Sequence, residues 1–319
     1  MTFISILCAL LIEQLKPLRA DNPVYAAVRA LAVRMEGWFN AGQESQGRLA
    51  WIVMMLTLVV PMMLIYWLCT KISPFAVLAC NILITYLTLG FRHYSHYFSS
   101  IQLALNNGDV VTARRLLAQW KRLDTVDMDV SEISRIAVEN ALVTTHRNVF
   151  GVFFWFLMPI GPAGAVIYRV AEHLARAWNE PEHLKNEAFG RFAVKAFYWI
   201  DWIPARLTAI AFAVVGNFED AIYSWRNFAG RWNDEAIGII LAAGGGAMGL
   251  RLGAANEAAA KIVPADVAVI DSSGIEVIDS PPGEEATARA LQSTVGLVWR
   301  ALLLWMLLLL LLSLAVWLG

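Results

Sequence analysis

Apolar residues in this chain fall into long, nearly uninterrupted runs, not the two-residue alternation of a strand or the one-sided periodicity of a surface helix. The clearest are "WIVMMLTLVVPMMLIYWLC", residues 51–69, and "PFAVLACNILITYLTLGF", residues 74–91. Each approaches the roughly 20 residues needed to cross a bilayer, and the short "TKIS" between them predicts a helical hairpin. Further runs cover 149–168, 196–216 and 237–250, and "LVWRALLLWMLLLLLLSLAVWL", 297–318, carries Trp299 and Trp317 near its ends as interface anchors. At the start, "MTFISILCALLIEQLKP" lacks a basic n-region and a small-residue cleavage site, so it reads as a retained short helix ending near Pro17. The pattern predicts an all-α, polytopic membrane bundle over 1–254 with a cytoplasmic helical insert at 92–148. A polar linker over 255–293 and a C-terminal transmembrane helix over 294–319 follow. No internal repeat is visible.

Lys and Arg orient these runs. Residues 16–50 carry Lys16, Arg19, Arg29, Arg34 and Arg48, and residues 92–148 carry Arg92, Arg114, Arg115, Lys121, Arg122, Arg135 and Arg147. The hairpin places both loops on one side, which the positive-inside rule makes the cytoplasm. Residues 169–195 are also basic (Arg169, Arg176, Lys185, Arg191, Lys195), in conflict with a simple crossing at 149–168. "MPIGPAGA" puts Pro159, Gly161, Pro162 and Gly164 inside that run, enough to break a helix. Two readings stand: a re-entrant segment that returns the chain to the cytoplasm, or a kinked ordinary span. Irregular backbone at membrane depth is tolerated only inside protein or beside a wet cavity, so the break marks a candidate site. In the insert, "NNGDVVTARRLLAQW" predicts an amphipathic helix capped by Asp109. "DVSEISRIAVENALVTTHRNVF" predicts a second, with Ile133, Ile136, Ala137 and Asn140 at helical spacing, and Glu132 and Arg135 as a solvated pair.

Composition agrees with the pattern. Of 319 residues, 58% are hydrophobic and 16% charged, against about 45–50% and about 25% in soluble domains. A net charge of −1 leaves no basic field, so the lipid bilayer and not nucleic acid is the expected partner. Cys8, Cys69 and Cys80 lie in apolar runs without CxxC spacing and read as small core residues. His93 and His96 have a metal-compatible spacing but no third ligand, so no metal site is assigned; His146 adjoins Arg147, which disfavours a second cation there. "AAGGGAMG" lacks the Lys-Ser/Thr of a phosphate loop and reads as close helix packing, and "WRNFAGRW" as an interfacial belt.

The informative exception is "AFYWIDWIPARLTAIAFAVVGN", 196–217, which carries Asp201, Pro204 and Arg206 in an otherwise membrane-compatible run. An intramembrane charge costs roughly 2.5–3.5 kcal/mol on insertion scales and defaults to a functional hypothesis. Either Asp201 and Arg206 line a polar cavity with Glu139, Tyr168 and Arg169, Pro204 unwinding the helix so that backbone groups join them, or the two form a structural pair.

Four ordered blocks resemble the CobD/CbiB family of cobalamin-biosynthesis membrane proteins, over about 80–255. "FRHYSHYFSSIQLALNNGDVVTARRLLAQWKRLDT" is similar to the family's Gly-Asp turn, Ala-Arg pair and terminal Arg-Asp-Thr, here Arg122, Asp124 and Thr125 with Leu123 interposed. "FFWFLMPIGPAGAVIYRVAEHL" resembles its Phe-Trp, Gly-x-Pro-Gly-Ala and Tyr. "EAFGRFAVKAFYWIDWIPARLTA" matches its Phe-Gly and Pro-Ala-Arg-Leu-Thr-Ala blocks, and "AAGGGAMGLRLG" its Gly-rich segment.

The resemblance implies ATP-dependent amide formation between adenosylcobyric acid and aminopropanol or its phosphate, with ATP and Mg²⁺ as cofactors if the chain is enzymatic. It points to Glu139, Asp201 and Arg206 as catalytic candidates. Arg122, Asp124, Thr125, Asn140, Arg147, Tyr168 and Arg169 are candidates to bind an anionic or corrinoid-like ligand. The chain departs from the family at its acids: Val143 and Thr144 stand where a Glu-Asn pair is usual, Arg147 fills an acidic position, and a paired Asp-Asp is reduced to Asp201. AmpE-like relatives look similar in this respect, so the alternative is a catalytically degenerate membrane sensor that binds a ligand without turnover. Either reading places the chain in the bacterial inner membrane.

Overall fold

The computed structural model describes residues 2–16, 18, 22–121, 123–179, 187–253 and 282–318. Arg122 and most of the stretch read as a linker lie outside the described residues. Among the described residues the regular elements are all helical, and the single β-bridge joins Leu250 and Glu284.

The helices are α1 (Thr2–Leu15), α2 (Pro23–Phe39), α3 (Glu44–Ile72), α4 (Pro74–Thr88), α5 (Phe91–Asn106), α6 (Val110–Lys121) and α7 (Val130–Thr145). They continue with a π-helical turn (His146–Phe150), α8 (Gly151–Leu157), α9 (Pro162–Ala177), α10 (Glu187–Val215), α11 (Phe218–Phe228), α12 (Glu235–Met248) and α13 (Ala288–Leu318). Three of them, α3, α10 and α13, are long and apolar enough to cross a membrane, while α1, α4 and α12 are apolar but shorter. α13 begins at Ala288, inside the stretch that the pattern assigns to the linker.

Local chemistry sets the boundaries. Asn22 and Ser73 cap α2 and α4, each followed by a Pro at the first helical position, where its missing N–H costs nothing. Asp109 accepts from the Thr112 amide at 2.9 Å and Asp129 from the Glu132 amide at 2.7 Å, as capped starts to α6 and α7 require. The predicted break is present: α8 stops at Leu157, Gly161 takes φ +55°, and Pro162 opens α9. Pro204 does not unwind α10, which runs through it. Proline at 204 cannot donate to the carbonyl of Ile200, and the Trp155 indole N–H donates to that carbonyl instead, at 3.0 Å.

The chain divides into two compact units. The first contains residues 1–93, 146–204 and 306–319. In it α1 packs on α4, α2 on α3, α3 and α4 on each other and on α9, and α8 folds back on α9. The second contains 94–145 and 205–305, with α6 on α7, α7 on α12, and α11 on α12. The glycines of α12 make the last two contacts close. A Cβ on Gly246 would overlap the Asp220 carbonyl of α11, and one on Gly244 would meet Leu142 of α7 at 2.8 Å. This is the packing role expected of "AAGGGAMG".

Candidate functional site

The first unit gathers a cluster of ionisable side chains at the turn between α7 and α8. Five residues wound as a π-turn widen the helix by one residue, a feature frequent at functional sites. Here it presents His146, Arg147 and Asn148 in succession. Asp201 reaches the turn from α10 and Tyr168 from α9. His146 Nε2 lies 2.8 Å from Asp201 Oδ1, and the Tyr168 hydroxyl donates to the same oxygen at 2.9 Å. His146, Tyr168 and Asp201 are all buried. Asp201 Oδ2 is buried as well and has no hydrogen-bond partner among the described residues. Gly151 makes room for this arrangement, because a Cβ there would overlap the Tyr168 ring at its hydroxyl end.

Guanidinium groups flank the carboxylate. Arg147 sits over the Phe197 ring at 5.6 Å, and its charge acts on Asp201, Tyr168 and Glu172. Arg169 Nη1 donates to Asn148 Oδ1 at 2.6 Å and lies 3.6 Å from Glu172 Oε2, while Arg176 approaches the other Glu172 oxygen at 3.8 Å. Burial alone would raise the Glu172 pKa; Arg169, Arg176 and Arg147 outweigh it and hold that carboxyl below its usual range. Burial, with Arg176, lowers the pKa of the adjacent His173, keeping it neutral near pH 7.

Four residues singled out from the sequence, Arg147, Tyr168, Arg169 and Asp201, therefore lie in one cluster. Asp201 and Arg206 do not pair with each other. Five residues on an α-helix turn through about 500°, leaving the two side chains about 140° apart, and Arg206 instead pairs with Glu235. The other candidates belong to the second unit and are engaged there. Glu139 Oε1 accepts from Arg135 at 3.0 Å and from the Gly253 amide at 2.7 Å, so Arg135 is tied to Glu139 as well as lying 3.8 Å from Glu132. Asn140 accepts from Lys121 at 3.3 Å, Thr125 donates to the Arg114 carbonyl at 3.0 Å, and Asp124 accepts from the Val126 amide at 3.2 Å. His146, Asn148 and Glu172 were missed. The spacing of Glu172 three residues after Arg169 on one helix was a usable signal; the π-turn that aims His146 left none.

Chemically, a His–Asp pair can hold and move a proton, and clustered guanidinium groups can bind a carboxylate or phosphate in a bidentate fork. Among the described residues no three His, Cys, Asp or Glu side chains are grouped to hold a metal ion. Within the cluster, Asp201 Oδ2, which has no hydrogen-bond partner among the described residues, belongs to a residue on which Arg147 also acts. These residues do not fit Mg²⁺.

The family profile described as CobD/Cbib protein matches residues 6–272. This chain belongs to the CobD/CbiB family. "Cobalamin biosynthesis protein CobD" of Stutzerimonas stutzeri (strain A1501) is 32% identical over 314 residues, covering 97% of each chain. The Chromobacterium violaceum protein of the same description is 31% identical over 199 residues, 61% of this chain and 62% of its own length. "Probable cobalamin biosynthesis protein CobD" of Thermoplasma volcanium is 24% identical over 246 residues, 75% and 77% of the two chains. No solved structure matches. The CobD/CbiB match spans both compact units, including the π-turn and all of α8 to α12.

Proposed function

We propose that this chain acts in cobalamin biosynthesis, in the bacterial inner membrane. It joins the amine of aminopropanol or its phosphate to a carboxylate of adenosylcobyric acid in an ATP-dependent reaction. The similarity to a CobD protein over 97% of both chains supports the pathway. The observation that carries the reaction is the buried His146–Asp201 pair set beside Arg147.

Amide formation from a carboxylate requires its oxygen to be made a leaving group. Transfer of the terminal phosphoryl group of ATP gives an acyl phosphate and ADP. The amine then attacks the acyl carbon, the C–N bond forms, inorganic phosphate leaves, and the nitrogen gives up a proton. In this reading Arg147 and Arg169 bind the anionic carboxylate and phosphate groups. Asp201 orients His146 through Nε2, and Tyr168 fixes the carboxylate that does so. His146 accepts the proton released by the amine, the role an imidazole fixed by a carboxylate can take in general base catalysis.

Arg147, where the family pattern carries an acid, favours a second reading in which the chain holds an anionic ligand without turnover. Complementation of a strain lacking its own cobinamide synthase, grown where cobalamin is required and cobinamide is withheld, separates the two. Rescue by this chain, lost in His146→Ala at unchanged membrane abundance, is the expected result. No rescue by the abundant wild-type protein, with growth restored by Arg147→Asp combined with Val143→Glu and Thr144→Asn, overturns it in favour of the ligand-binding reading.

A further inference from the structure

The α3–α4 hairpin carries two cysteines that the cluster does not use. Cys69 lies on α3 four residues before Ser73, and Cys80 lies on α4 seven residues after it. At 1.5 Å rise per residue these positions are about 6 Å and about 10 Å along two antiparallel helices from one tight turn, so they share a depth. The helices pack on each other, and each thiol lies near enough to the other to act on it electrostatically. Both are half-buried and unjoined. Just past Cys69, the Lys71 ammonium lies 5.6 Å from the Trp67 ring centroid, the amphipathic pairing of a helix end at a membrane–water interface. That end of the hairpin is opposite the basic loops, so the positive-inside rule turns it toward the outer, oxidising face of the membrane.

We propose that Cys69 and Cys80 are a redox pair that forms a reversible intramolecular disulfide across the outer end of the hairpin. The oxidant is a disulfide, small or protein-borne. One cysteine, as thiolate, attacks a sulfur of that disulfide and releases one thiol. The second cysteine then attacks the mixed disulfide and releases the other. The two cysteines lose two electrons and two protons in all, and the oxidant gains them. The bond fixes α3 against α4, and both helices seat α9, which carries Tyr168, Arg169 and Glu172. The disulfide therefore sets how rigidly the support beneath the cluster is held.

The test uses the full chain in isolated membranes, equilibrated with glutathione buffers of stepped reduced-to-oxidised ratio, quenched with acid and alkylated. Trypsin cleaves after Arg48, Lys71 and Arg92, placing Cys69 in peptide 49–71 and Cys80 in peptide 72–92. Mass spectrometry should show these peptides joined, with the loss of two hydrogens, in a fraction that rises with oxidised glutathione and returns to zero with dithiothreitol. Cys8 should stay alkylated throughout, and Cys80→Ser should remove the joined species. The proposal is overturned if both thiols stay alkylated in the most oxidising buffer, if glutathione remains attached to either, or if only copper–phenanthroline joins them.

Discussion

Trp155→Phe tests how α10 tolerates a proline one turn beyond the cluster. Pro204 cannot donate to the Ile200 carbonyl, and Trp155 Nε1 does so at 3.0 Å. The substitution keeps an aromatic ring and removes that donor, leaving a carbonyl without a partner, which costs about 1–3 kcal/mol. Pro204→Ala returns a backbone N–H to the same carbonyl. The indole then becomes redundant, and Trp155→Phe in that background should cost no more than its lost packing, below about 1 kcal/mol. Unfolding of the purified proteins in detergent, with all four members of the cycle measured together, should give a coupling of about 1 kcal/mol or more. Equal costs of Trp155→Phe in the two backgrounds would refute the assignment, because the Ile200 carbonyl would then not depend on Trp155.

The cluster makes its own ranking. Asp201→Ala removes the acceptor shared by His146 and Tyr168 and breaks a buried pair, so it should destabilise by about 3–5 kcal/mol. Tyr168→Phe removes one hydrogen bond and should cost about 1 kcal/mol; detergent unfolding that finds the two equal would show that Asp201 is not the hub. Acidity gives a third outcome. The folded-state pKa of His173 lies below its ordinary 6.5, so the unfolded chain binds the proton more readily. Stability should hold above that value and fall as pH drops through it; His173→Gln should flatten this limb, and an unchanged melting profile in the variant would reject it. Glu172, whose folded pKa is lowered, contributes stability above its unfolded value that is lost only in stronger acid, as pH falls through the folded pKa, so the two limbs separate.

Several features of the fold were readable because they depend on local chemistry. Pro159, Gly161 and Pro162 mark the break between α8 and α9, "TKIS" marks the hairpin, and Asp109 marks the start of α6. Asp201 was legible as a charge in an apolar run. Its partners were not, because partner choice is a tertiary property: linear proximity suggested Arg206, whereas helix geometry sends that side chain to Glu235 and brings His146 to Asp201 from 55 residues away. The π-turn adds a residue to one helical turn without a compositional mark, so the facing of His146, Arg147 and Asn148 could not be read from a 3.6-residue period. Glu139 shows the opposite limit. Family resemblance made it a catalytic candidate, while in the second unit it accepts from Arg135 and the Gly253 amide.

Position 147 bears on the sign of what the cluster holds. Asp201 and Glu172 supply two carboxylates, and Arg147, Arg169 and Arg176 supply three guanidiniums. Counting these five side chains alone, the group carries one excess positive charge. A cationic ligand would add to that excess in a region where burial makes uncompensated charge costly, whereas a carboxylate or phosphate would cancel it. An Asp at 147 would leave three carboxylates and two guanidiniums, an excess of one negative charge. A single residue thus moves the balance by two charges, from one that favours a bound cation to one that favours a bound anion. On this balance Arg147→Asp should weaken anion binding while raising dependence on divalent cation. Titration of the purified protein with inorganic phosphate, with and without Mg²⁺, would show both changes; phosphate affinity unaffected by the substitution would mean that Arg147 does not face the ligand.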